Sequence, residues 1–163
     1  MDDRSLRSPA TDANGPFGLG LQLFEHVLEI CETADSSASP AFGQCQRDGP
    51  VTRLRHWPDR IWYVSEHADS LPKGTDIGHG VVVLGLRGNG SLRFLADYCT
   101  ADLQSAAARQ AGTVRCGLGQ FTVLMWWDIT RDIHITIDRS QAQSLADFLR
   151  ALVKRRELHD HLD

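Results

Sequence analysis

The chain has 163 residues, of which 42% are hydrophobic, 23% charged and 7% aromatic. A chain of this size and balance can form a soluble globular domain whose core needs no disulfide or metal to support it. The formal net charge of −4 argues against a nucleic-acid binder, because neutralising phosphates needs a clustered basic surface.

The first third of the chain combines one apolar segment with two polar stretches. Residues 1–16 are polar and contain Pro9 and Pro16, which predicts a flexible N-terminal arm before a single domain over residues 17–163. Apolar residues recur at helical spacing over residues 20–32 and predict a largely buried helix. Ser, Ala, Pro and Gly then dominate without any period, and we expect a long loop over residues 33–56.

Two β-prone runs lie in the middle of the chain. Residues 61–64 (IWYV) predict a short strand, and residues 81–84 (VVVL) predict a strand that is covered on both faces, in the centre of a sheet. The pair Asn89 and Gly90 is typical of a type I′ turn and predicts a hairpin whose second strand covers residues 92–98. Thr100 is a suitable cap for a helix that ends at Gly112.

The last third shows the clearest patterns. Residues 113–116, 120–128 and 132–138 predict three strands joined by short turns. Asp138 and Gln141 resemble a capping box, and a helix with an apolar face follows them. The predicted fold class is therefore α+β: an antiparallel sheet of about five strands, formed by the hairpin and a three-stranded meander, packed with about three helices.

The Cys and His residues do not show the spacing of a metal site, and we expect no metal and no cofactor. The cysteines form no CxxC pair, and in a reducing compartment we expect them to remain thiols. They are Cys31, Cys45, Cys99 and Cys116. His159 and His161 lie in a polar C-terminal segment that favours a solvated tail over a metal site.

The segment 66–79 is the place where the sequence could hold a catalytic or ligand site. It lies between two predicted strands, and its imidazole and carboxylate groups could together supply a general base and the group that orients it. The candidates are His67, Asp69, Asp76 and His79. The same residue types are ordinary in polar turns, so whether the chain is an enzyme stays open.

The strand predicted over residues 121–127 is apolar on both faces, because Trp127 points to one side and Leu124 and Trp126 to the other. Either helices of the same chain cover both faces, or Trp126 or Trp127 lies in an exposed patch and anchors a partner. The run RLRHWPDR at residues 53–60 adds Arg55 and Trp57 as candidate contacts for an acidic protein partner, with single-stranded nucleic acid as the less favoured alternative.

The leading hypothesis is a non-enzymatic protein-binding module of a bacterial cytoplasm: an accessory, adaptor or immunity-type protein that binds a protein partner or associates with itself as a homodimer. Its candidate partner-binding residues are Trp126, Trp127, Trp57 and Arg55. No signal peptide or long apolar segment is visible, so we expect no membrane contact. The alternative is a small enzyme or small-ligand-binding domain that uses the loop at residues 66–79.

Overall fold

The structure is a computed structural model that describes residues 18–22, 26–31, 39–88, 90–107, 110–128 and 132–160. Within these residues the chain forms two antiparallel sheets and three α-helices, so the predicted α+β class with a five-stranded antiparallel sheet is confirmed. The predicted arm at residues 1–16 lies outside the described residues. None of the described helices is both long and apolar enough to span a membrane.

The strands in chain order are β1 (Gly18–Gln22), β2 (His26–Cys31), β3 (Cys45–Asp48), β4 (Val51–Trp57), β5 (Arg60–Ser65), β6 (Thr75–Asp76), β7 (Val81–Arg87), β8 (Gly112–Leu118), β9 (Phe121–Trp127) and β10 (Ile133–Asp138). The helices are α1 (Ser91–Ala96), α2 (Leu103–Ala107) and α3 (Ala142–Asp160). The first sheet has the strand order β1-β7-β10-β9-β8, and the second has β3-β4-β5-β2, with the two-residue strand β6 at its edge. The predicted meander is the β8-β9-β10 part of the first sheet, and β7 lies in its interior, as its apolar run predicts.

The helices and the two sheets stack as three layers with two apolar clusters between them. One face of the first sheet, with Met125, Trp127 and Ile135, packs against the helices. The opposite face packs against the second sheet, in a cluster that comprises Val27, Cys45, Leu54, Val64, Val83, Leu124 and Trp126. The second sheet therefore covers the face of the first sheet that lies opposite the helices.

The predicted helix at residues 20–32 is wrong. Its described residues belong to β1, which pairs with β7, and to β2, which pairs with β5. Apolar residues fill so many positions there that the pattern fits one face of a helix and both faces of a strand equally well. The β-branched Val27 and Ile30 favour a strand, and pairing with distant strands decides the outcome.

The predicted loop at residues 33–56 is also wrong in its second half. β3 and most of β4 lie there and pair with each other as an antiparallel hairpin. Gly49 makes the turn between them with φ of +57°, a conformation that glycine adopts without strain. The alternation of this hairpin is hard to detect in the sequence because its first strand exposes three of its four residues.

The predicted second strand at residues 92–98 is replaced by α1. Both the amide and the hydroxyl of Ser91 donate hydrogen bonds to the carbonyl of Gly88, and this turn leads from β7 into the helix. Leu92 and Leu95 are both buried, a spacing of three that fits a helix and breaks the apparent alternation. Asn89, the first residue of the predicted turn, lies outside the described residues.

The two predicted helix caps differ from the observed ones. Asp102 begins α2 by accepting a hydrogen bond from the Ser105 amide at 3.0 Å, while the Thr100 hydroxyl accepts one from the Gly117 amide at 2.8 Å. Asp138 forms no side-chain cap, because a 3-10 turn over Arg139–Gln141 separates it from α3. The C-terminal helix itself is confirmed.

Gly112 allows β8 to pass close to the indole of Trp127. A Cβ atom on Gly112 would lie 2.5 Å from Cζ2 of Trp127, so Gly112→Ala is expected to lower the free energy of unfolding by about 1–3 kcal/mol. Gly80→Ala is the matched control, because a Cβ there meets no atom within 4 Å. Urea denaturation measures both variants, and equal midpoints would contradict this packing.

Candidate functional site

The two tryptophans predicted as candidate anchors are not available to a partner. Trp126 is 2% exposed and Trp127 is 1% exposed. Trp127 packs in the cluster beneath the helices, and Trp126 packs in the cluster between the sheets. The apolar character of both faces of β9 is thus explained by a second sheet of the same chain, and the prediction that one indole forms an exposed patch is wrong.

Arg55 is likewise a structural residue. It is buried, its Nε donates a hydrogen bond to the carbonyl of Pro58 at 3.2 Å, and its Nη1 donates to the carbonyl of Pro40 at 3.4 Å. These contacts tie the β4–β5 turn to the segment before β3 and use the guanidinium inside the protein. Of the predicted partner-binding residues, Trp57 alone keeps a large exposed surface, at 45%.

The four candidates of the 66–79 segment do not form a catalytic group. All four are exposed, and within the described residues no hydrogen bond joins either imidazole to a carboxylate. Asp76 accepts a hydrogen bond from the amide of Gly78 at 2.8 Å, as is usual in a polar turn, and the carbonyl of His79 accepts one from Arg139. The remaining two are His67 and Asp69, on either side of the start of a short 3-10 turn.

No group of three or more His, Cys, Asp or Glu side chains in the described residues is placed to hold a metal ion. The side chains of His159 and His161 lie outside that description. Cys45 is a free thiol buried between the sheets, and Cys99 and Cys116 are free thiols close to each other.

A cavity of about 690 Å³ opens beside Trp57, where β4 and β8 approach each other and residues at the start of α2 close one side. It is lined by Phe42, Gly43, His56, Trp57, Ala101, Asp102, Leu103, Thr113, Val114, Arg115 and Trp127. Phe42 is 65% exposed, so the large apolar side chains that are exposed in the described residues, Phe42 and Trp57, both border this cavity. We call Phe42, Trp57 and Arg115 together the aromatic rim.

Backbone hydrogen bonds hold the Phe42 segment against both sheets. The amide of Gly43 donates to the carbonyl of Arg55 at 2.8 Å, and the carbonyl of Gly43 accepts from the amide of Thr113 at 3.0 Å. Gly43 has φ of +78°, a conformation that favours glycine. Phe42 is therefore presented on a fixed backbone, although the sequence around it resembles a plain loop.

His56 lies behind the rim and lines a second cavity of about 320 Å³ as well. Its ring meets the edge of Trp62 with centroids 4.7 Å apart, and the Trp62 indole donates a hydrogen bond to Glu29 at 3.0 Å. Burial lowers the pKa of His56 to about 4, with the Glu29 carboxylate acting in the opposite direction. At neutral pH the imidazole is therefore uncharged.

The Nδ1 atom of His56 is buried and makes no hydrogen bond within the described residues. A backbone contact with Leu54 opposes the effect of burial on the pKa of His56. Arg115 lines both cavities with His56, so a guanidinium and a neutral imidazole lie in their common wall.

The sequence singled out Trp57 but missed Phe42 and Arg115. Phe42 had one detectable signal: it is an isolated aromatic residue in a segment of small and polar residues, where no local apolar pattern would bury it. Arg115 occupies a polar position between Val114 and Cys116 in β8, which indicates exposure but gives no hint of a neighbouring cavity.

No protein-family model and no curated protein matches this chain in sequence. Among solved structures, it is similar to a chain of the heterotetrameric sarcosine oxidase from Corynebacterium sp. U-96 in complex with pyrrole 2-carboxylate, with a TM-score of 0.75 and 18% identity. The similarity covers 91% of this chain and 95% of that chain. At this identity it establishes a shared fold, which extends over nearly the whole of both chains.

Proposed function

We propose that this chain is a non-catalytic, protein-binding subunit that docks a different protein chain on its aromatic rim. The observation that carries the proposal is that Phe42 and Trp57, 65% and 45% exposed, border one cavity. Exposed aromatic side chains around a concave surface are typical of residues that dominate the energy of a protein interface.

The cavity suggests the chemistry of the partner. Its volume of about 690 Å³ suits one or two large apolar side chains inserted between the two rim aromatics. Arg115 is exposed and forms no ion pair within the part of the chain that the structure describes. The proposed partner segment therefore carries a large apolar residue next to an acidic one, which pairs with Arg115 when water is displaced.

The structural neighbour supports a role within a larger assembly. That protein is heterotetrameric, and its matching chain has this fold over 95% of its length. A chain that consists almost entirely of this fold can therefore serve as one subunit of an assembly with other chains. The likeness concerns the fold, and the choice of the aromatic rim as the docking surface rests on the exposure of Phe42 and Trp57.

The test uses the full chain and its partner, identified by co-purification and then produced separately. Isothermal titration calorimetry of the reconstituted pair should show at least tenfold weaker binding for Trp57→Ala and for Phe42→Ala, because each removes an aromatic contact from the centre of the interface. Arg115→Glu should also weaken binding, and its effect should be larger at low salt than at high salt. Gln120→Ala is the matched control and should bind like the wild type. Gln120 is exposed and lies in the turn of the β8-β9 hairpin, outside the lining of the cavity.

Three results would contradict this proposal. Equal affinities of the wild type and the rim variants would exclude the surface. A concentration-dependent homodimer that the rim variants disrupt would replace the different partner with a second copy of the chain. Thermal stabilisation by a small anion, lost in Arg115→Ala, would favour the alternative of a small-ligand-binding domain.

A further inference from the structure

The sulfur atoms of Cys99 and Cys116 lie 3.0 Å apart. Cys99 follows α1 and forms an isolated antiparallel bridge with Leu118, at the end of β8. Cys116 lies in β8 itself. The bridge therefore brings the two thiols together, although they are 17 positions apart in sequence.

Hydrogen bonds on both sides of Cys99 fix this arrangement. The amide of Gly119 donates to the carbonyl of Tyr98 at 2.8 Å, and the amide of Thr100 donates to the carbonyl of Gly117 at 2.9 Å. The amide of Gly117 donates to the hydroxyl of Thr100 at 2.8 Å. These contacts hold the two cysteine backbones in place while the side chains face each other.

The two thiols differ in their access to solvent. Cys99 is half-buried, whereas Cys116 is 8% exposed, and burial raises the pKa of the Cys116 thiol. A reagent in solution therefore reaches Cys99 first. Cys45 is 7% exposed, and burial raises its pKa to about 12, so it is a poor competitor for the same reagent.

We propose that Cys99 and Cys116 are a redox modification site that forms an intramolecular disulfide on reaction with a small-molecule disulfide such as oxidised glutathione. The Cys99 thiolate attacks one sulfur of the reagent, breaks its S–S bond and releases one thiolate. Cys116 loses its proton to water and attacks the Cys99 sulfur, which releases the second thiol. The two cysteines lose two electrons and two protons, and the reagent is reduced to two thiols.

The disulfide would enclose the segment that contains α2 and the residues that begin it. Ala101, Asp102 and Leu103 lie in this segment and line the 690 Å³ cavity. Oxidation therefore restrains one wall of the cavity. It also lowers the conformational entropy of the unfolded chain. This inference stands on the geometry of the thiols and is independent of the proposed function.

The experiment incubates the full native chain with oxidised glutathione, blocks free thiols and digests it with trypsin without reduction. Trypsin cuts after Arg93, Arg109, Arg115 and Arg131, so the two cysteines fall in separate peptides, 94–109 and 116–131, each with one cysteine. Mass spectrometry should find these two peptides linked, and dithiothreitol should separate them. The oxidised protein should melt about 5–10 °C above the reduced protein.

Cys99→Ser and Cys116→Ala should each lose the linked peptides and the difference in melting temperature between oxidised and reduced protein. Cys45→Ala is the matched control and should keep the linked peptides and the difference in melting temperature. The oxidised and reduced forms are compared within each variant, so a change in stability caused by the substitution itself does not matter. The proposal is overturned if, after the folded chain has been incubated with oxidised glutathione, the thiol-blocking reagent still modifies both Cys99 and Cys116. It is also overturned if Cys99 links to Cys31 or Cys45, or keeps the glutathione.

Discussion

Trp127→Ala is expected to lower the free energy of unfolding by about 3–5 kcal/mol. Trp127 is 1% exposed and packs in the cluster beneath the helices, so truncation leaves a large cavity in a close-packed region. Ile133 and Gly112 flank it on the neighbouring strands, in register on either side. Paired backbone strands cannot move far enough to fill the space, so little of the cost is recovered.

Urea denaturation followed by circular dichroism measures this loss without using tryptophan fluorescence. Trp126→Ala should give a loss of similar size, because Trp126 is 2% exposed between the sheets. Trp57→Ala is the matched control and should change stability by less than about 1 kcal/mol, since its ring is 45% exposed. If Trp127→Ala instead kept full stability and changed the oligomeric state, the indole would be a partner contact after all.

The parts of the fold that the sequence predicts well are those with strong local patterns. β10 places Ile133, Ile135 and Ile137 on one face, and α3 places Leu145, Leu149 and Leu152 in the core. Each pattern fits only one type of element, and β10 pairs on one side with β9, the strand that precedes it in sequence. Local periodicity was therefore sufficient for the C-terminal third.

The parts that failed depend on contacts between distant segments. β1 pairs with β7, and β2 pairs with β5. The paired residues are far apart in sequence, as are Leu21 and Leu84 in the first pair and Val27 and Val64 in the second. The sequence of one segment does not indicate which distant strand it will pair with. The sequence does not predict the second sheet, so nothing in it accounts for burial of the inner face of β9, and an exposed tryptophan is the expectation that follows.

The candidate site was only partly predictable for the same reason. The local run of aromatic and basic residues indicates Trp57, but Phe42 and Arg115 join it through the β4-β8 contact. The Cys99–Cys116 pair depends on an isolated bridge between Cys99 and the edge strand β8. Spacing in the sequence indicates neither, because both are produced by alignment of strands in the folded chain.

Lowering the pH from 7 to 5 is expected to destabilise the protein by about 2 kcal/mol through His134 alone. His134 is 9% exposed and stacks on Trp126, with ring centroids 3.7 Å apart and planes within 11°. Burial lowers its pKa from 6.5 to about 4; Asp128 acts in the opposite direction, while Arg47 and Arg87 lower it further. The folded protein therefore keeps this imidazole neutral at pH 5, where the unfolded chain binds a proton.

The direction follows from that difference in proton binding. As the pH falls through 6.5, the unfolded state gains a proton that the folded state does not, so stability decreases until the pH reaches about 4. His56, with a pKa lowered to about 4 by burial, contributes in the same direction and over the same range. The two imidazoles together are expected to contribute a loss of about 4 kcal/mol in stability between pH 7 and pH 5.

His134→Phe keeps a ring against Trp126 but cannot bind a proton, so it should lose about 2 kcal/mol less than the wild type between pH 7 and pH 5. Thr136→Val, at another buried position of β10, is the matched control and should keep the wild-type dependence on pH, whatever its effect on stability at pH 7. Urea denaturation at pH 7, 6 and 5 gives these slopes. If His134→Phe and the wild type lost equal stability between pH 7 and pH 5, His134 would bind a proton in the folded protein as readily as in the unfolded chain. Its ring would then have to leave the buried stack on Trp126 at pH 5.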